Sequence, residues 1–174
     1  MEITQAVNDN LSEEDLYKIY KFTLRASLQL SKLTLYVKES DWECKVQFGT
    51  TKDFNTVKIG PSCLTVQKTS EIKDLQLDVP CFSEFDVIIP VRHKKRLLAF
   101  VFVSGQKGAE TEVDTTFIEA LSNVMLVAIE NKRLARKELE KQALERDIQI
   151  AQNVQRFLFP KELPKTDQIE IEAF

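Results

Sequence analysis

Three cysteines, one histidine and a scatter of carboxylates are the side chains here with types suited to covalent or metal chemistry. Cys44, Cys63 and Cys81 are odd in number, widely spaced and form no CxxC pair. A zinc site needs four clustered nitrogen or sulfur ligands, and no local grouping supplies them. The thiols read as small, partly buried side chains of a reducing cytoplasm. His93, the only histidine, lies in the polar run Arg92-His93-Lys94-Lys95-Arg96. That run reads as a solvated hairpin tip, with His93 on the surface and not a haem ligand. Asp147 falls on a helix and Asp167 in a turn, neither within a carboxylate cluster. No catalytic residue and no metal site is therefore expected in these 174 residues.

Bulk properties agree. The net charge is −3, with 43% hydrophobic and 29% charged residues. There is no basic field for nucleic acid or an anionic membrane surface. The acidic start, MEITQAVNDNLSEED, is not a signal peptide. The longest apolar run, Leu97 to Val103, is too short to span a bilayer. No nucleic-acid and no membrane partner is expected.

The positioning elements follow from hydrophobic period. Ser12 before Glu13, Glu14 and Asp15 is an N-cap with an acidic first turn, opening a helix to about residue 30. The period then becomes two. Leu33, Leu35 and Val37 alternate with polar residues, as do Trp42, Cys44, Val46 and Phe48 after Glu39-Ser40-Asp41, predicting a hairpin with one buried face. Short strands are expected at Val57–Ile59 and Leu64–Val66 around the Gly60-Pro61 turn, then a loop or short helix over 69–84. Residues 85–105 give a second hairpin. Its apolar run, Leu97–Val103, belongs in the centre of the sheet, and Pro90 at a bulge or edge. Neither proline nor glycine occurs from about Asp114 to Pro160. This predicts one helix of about 45 residues, roughly 65–70 Å long.

The first part of that helix, FIEALSNVMLVAIEN, is apolar enough to lie on the sheet, and the second, KRLARKELEKQALERD, carries mixed charge. Leu121, Met125, Ala128, Lys132, Ala135 and Leu139 follow a 3–4 spacing. Leu144, Ile148, Ala151, Gln155 and Leu158 resume it after a phase slip. Such a seam predicts a two-stranded coiled coil and hence a homodimer. The final IEIEAF alternates like a strand with nothing after it to pair with, so the chain reads as part of something longer.

Two stretches resemble known families. IIPVRHKKRLLAFVFVSG followed by FIEALSNVMLVAIENKRL resembles the second half of a GAF domain, whose helix ends in a signature like Ala128-Ile129-Glu130-Asn131-Lys132-Arg133-Leu134. The resemblance implies an α+β fold, an antiparallel sheet with flanking helices, over residues 12 to about 134. It also implies a place for a small ligand between sheet and helices. The cyclic-nucleotide signature is missing, and no cysteine is followed by histidine as in bilin-binding members. LERDIQIAQNVQRFLFPKELP resembles the approach to the sporulation stage II E-type serine/threonine phosphatases, a branch of the PPM family. Ala151, Val154, Gln155, Leu158, Pro160 and Pro164 hold the matching places, with Phe159 where a second leucine is common.

Together they imply a GAF-like sensor over 1–130, a coiled-coil linker over 131–159 and the start of a phosphatase domain over 160–174. The expected function is regulatory: a dimeric sensor controlling a metal-dependent phosphatase through the helix. Gln155, Leu158, Pro160 and Pro164 would form the switch. The Mn or Mg ions and the phosphoprotein substrate would belong to the phosphatase domain. Alternatives are a kinase or diguanylate cyclase as output, or a non-enzymatic dimeric scaffold. The lack of a phospho-accepting histidine on the long helix counts against a histidine kinase.

Overall fold

The computed structural model describes residues 11–106 and 113–158. The chain divides after Glu130 into two units. The predicted helix start is observed: Ser12 Oγ accepts from the Asp15 amide at 3.1 Å, and α1 runs Glu13–Ser27. It ends about three residues early because strand pairing begins at Leu30.

Five strands, β1 Leu30–Lys38, β2 Trp42–Phe48, β3 Ser70–Glu71, β4 Val87–His93 and β5 Arg96–Gly105, make one antiparallel sheet in the order β2-β1-β5-β4-β3. The apolar run of β5 is central, as predicted. Every residue from Leu98 to Ser104 is buried, because both faces of the strand are covered. Ala99, Val101 and Val103 join the core under the helices, while Phe100 and Phe102 join a second core on the opposite face. β3 pairs only with Val87 and Ile88 of β4. Pro90 therefore has a ladder neighbour on one side, Phe100, and its missing donor leaves no described bond unmade.

The first hairpin departs from expectation. Pairing passes from Leu35↔Val46 to Tyr36↔Cys44, leaving Lys45 as the extra residue of a β-bulge. Trp42 and Cys44 therefore turn to one face and Val46 and Phe48 to the other. β1 is likewise buried on both sides, with Leu33, Leu35 and Val37 under the helices and Tyr36 opposite. The strands expected at 57–59 and 64–66 are absent. Phe54–Thr56 is a 3-10 turn, and Pro61 at the first helical position starts α2, Pro61–Leu64. Two further 3-10 turns, Ile72–Asp74 and Pro80–Glu84, occupy the segment expected to be loop or short helix.

The last element, α3, is a helix of 44 residues, Thr115–Leu158. Its start is capped by Asp114, whose carboxylate accepts from the Phe117 amide at 2.9 Å. Ile118, Ser122, Met125, Leu126 and Ile129 are buried, the i, i+4, i+7, i+11 pattern of a core-facing stripe. Within this apolar layer Ser122 Oγ donates to the Ile118 carbonyl at 2.6 Å. That leaves the Tyr20 hydroxyl as donor to Ser122 Oγ, 2.7 Å away. The bond pins α1 to α3 and satisfies two fully buried hydroxyls. The strand expected over Ile169–Ala173 lies outside the described residues.

Two turns need left-handed backbone. Gly49 follows β2 at φ +67, where a Cβ would overlap the Ser31 carbonyl oxygen. The β4–β5 connection is a two-residue hairpin between paired His93 and Arg96, with Lys94 at φ 46 and Lys95 at φ 69. Asn-Gly is the usual occupant of such a turn, and each lysine there costs about 1 kcal/mol relative to glycine. Replacing Gly49 with alanine should lower stability by more than about 1 kcal/mol, since left-handed strain and a backbone collision add. Urea denaturation with an unchanged midpoint would contradict that close approach.

Candidate functional site

The sheet face opposite the helices is built from aromatics contributed by distant segments. Phe100 and Phe102 come from β5, Tyr36 from β1, Trp42 from β2, and Phe54, Phe82 and Phe85 from the connection between β2 and β4. Phe82 stacks on Phe102 with centroids 4.2 Å apart and planes 6° from parallel. Tyr36 stands edge-on to both, at 5.8 and 6.1 Å. Phe54 closes the group against Phe82 at 5.8 Å and Phe85 at 5.3 Å. Such edge and offset contacts add to the burial of the rings themselves. The Tyr36 hydroxyl reaches the carbonyls of Phe54 and Val57, each at 2.9 Å. Its single proton is thus shared between two acceptors of one turn. Thr34, on the same side of β1 as Tyr36 by strand alternation, is fully buried with no partner for its hydroxyl among the described residues.

Two polar ties hold this irregular layer on the sheet. Glu84 Oε2 accepts from Lys32 Nζ at 3.0 Å and from the Thr51 amide and hydroxyl at 3.3 and 3.0 Å. Burial would raise the Glu84 pKa, but the bonds from Lys32 and Thr51 outweigh it and hold the carboxyl below its ordinary 4.5. At the other tie the Asp78 carboxylate accepts from the Ser62 hydroxyl, whose oxygen in turn accepts from the Asp78 amide at 3.0 Å. A Cβ at Gly60 would meet that carboxylate, which would have to swing aside to admit it.

All three cysteines lie within electrostatic range of Tyr36, and burial is the main cause of its raised pKa. Burial also pushes the Cys44 and Cys63 thiols up to about 11. Both stay protonated at neutral pH, so the layer suits packing and ligand contact better than thiolate attack. Sequence spacing does not reveal this convergence, because the residues meet only once the irregular segment folds over the sheet. Among the described residues no group of three or more His, Cys, Asp or Glu could hold a metal ion.

The residues predicted to form a dimer seam divide. Met125 is fully buried in the chain's own core, and Leu121 is half-buried against it. Met125 therefore does not face a partner helix: its spacing from Ile118, Ser122 and Ile129 puts it on the stripe that packs on the sheet. Ala128 is half-buried, whereas Ala135, Leu139, Leu144, Ile148, Ala151, Gln155 and Leu158 are exposed. Pro160 and Pro164 lie outside the described residues. Ile150, Val154 and Phe157, which the predicted seam omits, are also exposed. Leu139 and Ile150 are eleven residues apart, as are Ala143 and Val154, a step of about three helical turns that keeps them on one line.

No family model matches the sequence, and a search of curated proteins finds no match. The GAF domain/HD domain protein from Geobacter sulfurreducens aligns over 77% of this chain and 99% of its own, with a TM-score of 0.58 at 13% identity. The chain has the GAF fold. The GAF domain from the Acinetobacter phosphoenolpyruvate-protein phosphotransferase aligns at a TM-score of 0.55 and 11% identity, over 76% of this chain and 90% of its own. Free methionine-R-sulfoxide reductase from Neisseria meningitidis, solved with its substrate, gives 0.58 at 12% identity, over 76% and 87%. In this GAF fold the five-stranded sheet and flanking helices agree with the sequence expectation. Among the described residues no helix is long and apolar enough to cross a membrane.

Because the folded pKa of Glu84 is depressed, its stabilising effect is full above the unfolded value and disappears as pH falls through the folded one. The stability gap between wild type and Glu84→Gln should be widest above pH 4.5 and close below it. A gap independent of pH would remove the ion-pair account. At pH 7.5 Cys44 and Cys63 should alkylate on the order of a hundredfold more slowly than free cysteine, with normal rates regained in denaturant. Fast labelling of the folded chain would show that burial does not hold them protonated.

Proposed function

We propose that this chain is a regulatory module in which the GAF fold receives a signal and α3 passes it, as a homodimer, to an output domain. One observation carries the reading: the exposed apolar side chains of α3 beyond Glu130. Leu134, Leu139, Leu144, Ile148, Ile150, Val154, Phe157 and Leu158 are all exposed, from 48% for Ile148 to 92% for Phe157. An isolated helix draws most of its stability from packing an apolar stripe, so this one needs a partner. A second copy of the same helix is the partner its spacing suits, with Leu139, Leu144, Ile148, Ala151, Gln155 and Leu158 at or beside the seam.

The aromatic layer is where a signal would act. Phe82 belongs to a 3-10 turn and covers the face of Phe102, so displacing that turn would open a flat apolar surface on the central strand. A second reading comes from the likeness to free methionine-R-sulfoxide reductase, which invites a thiol-based reaction at the gathered cysteines. The raised pKa values of Cys44 and Cys63 weigh against it.

The output we propose is a PPM-type serine/threonine phosphatase, supported by the stretch from Leu144 to Pro164. Gln155, Leu158, Pro160 and Pro164 would couple linker to active site, and Mn or Mg and the phosphoprotein would bind in the phosphatase domain. A kinase or diguanylate cyclase is the competing output. Reading the gene past Phe174 tests this directly: an aspartate-bearing first strand supports the phosphatase, and a Gly-Gly-Asp-Glu-Phe-like segment overturns it.

Sedimentation equilibrium tests the dimer. The chain of 20.1 kDa should sediment at twice its mass at micromolar concentration. Leu139→Asp should weaken association at least about tenfold, since it places an unpaired charge in the seam. A single species at the monomer mass would dismiss the dimer reading.

A further inference from the structure

We propose that the tip of the β4–β5 hairpin is a docking site for a short acidic segment of a partner protein. Five consecutive polar residues, Arg92 to Arg96, make up the tip, and four of them are cationic. Lys94, Lys95 and Arg96 are exposed. Arg92 donates to Gln67 at 3.1 Å and Arg96 to Glu130 at 2.6 Å. Lys94 and Lys95 take part in no ion pair or side-chain hydrogen bond among the described residues.

Backbone conformation separates this tip from an ordinary solvated turn. Both central residues are left-handed, the conformation that Asn-Gly adopts most easily and a side chain with a Cβ resists. Solubility alone does not demand lysine at those two positions, because charge at the flanking strand ends would serve without strain. Local strain kept against folding preference is a mark of a site used for something else. What lysine adds at these positions is two ammonium groups at the furthest point of the sheet end.

The class of partner follows from the width of the positive surface. β1 and β5 are antiparallel neighbours, with Val37 opposite Ala99. The turn between β1 and β2, Glu39-Ser40-Asp41, therefore lies at the same end of the sheet as the basic tip. The one cation nearby on β2, Lys45, is held by Glu39 at 2.8 Å and Glu43 at 2.6 Å. Lys38, the last residue of β1, sits over the Trp42 ring with its ammonium 5.8 Å from the centroid. Positive charge is thus densest at the hairpin tip, four cations in five residues, beside a turn carrying Glu39 and Asp41, on a chain of net charge −3. An extended polyanion such as a nucleic-acid backbone or an anionic bilayer would bring its charge against Glu39 and Asp41 as well. A short run of carboxylates spans the tip alone. Arg96 already holds one carboxylate, that of Glu130, beside the tip, so carboxylate recognition has a precedent in the structure.

Fluorescence anisotropy with a labelled peptide of six glutamates flanked by Gly-Ser, in about 50 mM salt, tests the proposal. The wild-type chain should bind it in the micromolar range, bind a glutamine version far more weakly, and lose affinity as salt rises. The double variant Lys94→Asn/Lys95→Gly should bind at least about tenfold more weakly while its melting temperature stays level or rises by a few degrees, because strain is relieved. Lys94→Gln/Lys95→Gln, which removes charge and keeps the strain, should lose the same affinity. Equal binding by these variants, no binding by wild type at millimolar peptide, or tighter binding to a 12-nucleotide RNA or to vesicles with 30% anionic lipid would each overturn it.

Discussion

The constraint on which this fold depends is a central strand that is apolar on both faces. Leu98 to Ser104 of β5 is buried without interruption, so the sheet must carry a cover on each side. One cover is regular: α1 and the first part of α3 lay their stripes over Leu33, Leu35, Val101 and Val103. The other is irregular, made of 3-10 turns that bring Phe54, Phe82 and Phe85 onto Phe100 and Phe102. The two differ in how they are held. Helices satisfy their own backbone, so the regular cover is held mainly by apolar packing, with polar pins such as Tyr20 to Ser122 and Arg96 to Glu130. Short turns satisfy little of theirs, and their carbonyls reach for side chains such as the Tyr36 hydroxyl and Lys32. The irregular face is therefore the more readily remodelled one.

That contrast also explains what could be read from the residues in advance. The two helices, the β4–β5 hairpin and the central place of β5 all rest on sustained periods, and those emerge as predicted. The β1–β2 hairpin was half legible. Trp42, Cys44, Val46 and Phe48 alternate perfectly, yet an extra residue at Lys45 sends the first two to one face and the last two to the other. A bulge leaves no mark on hydrophobic period when both faces of the neighbouring strand are buried. The stretch 49–85 was not legible, since its order comes from tertiary contacts: Phe82 has no partner until it meets Phe102. The gathering of Cys44, Cys63 and Cys81 around Tyr36 was hidden for the same reason.

The long helix shows the limit of a single periodic rule. A 3–4 spacing runs unbroken from Leu121 past Glu130, and spacing alone assigns the whole line to one partner. Burial separates it. Before Glu130 the stripe through Ile118, Met125 and Ile129 is used up by the sheet, and after it Leu134 to Leu158 are exposed. One sequence pattern thus runs from a buried stripe into an exposed one. In the proposed linker role, the helix needs two arrangements of similar free energy to become a switch.

Left-handed backbone at three described non-helical positions gives a final measure of where stability has been set aside. Gly49 stands where the Ser31 carbonyl leaves no room, so its residue type is dictated by the fold. Lys94 and Lys95 adopt the same region with nothing in the fold requiring their side chains. The β4–β5 hairpin does not depend on its turn for register, because seven ladder pairs and the burial of both flanking strands already specify it. A turn relieved of that duty is free to hold residues that fold poorly and present charge well. Strain is affordable at this tip because the central strand beneath it is over-determined.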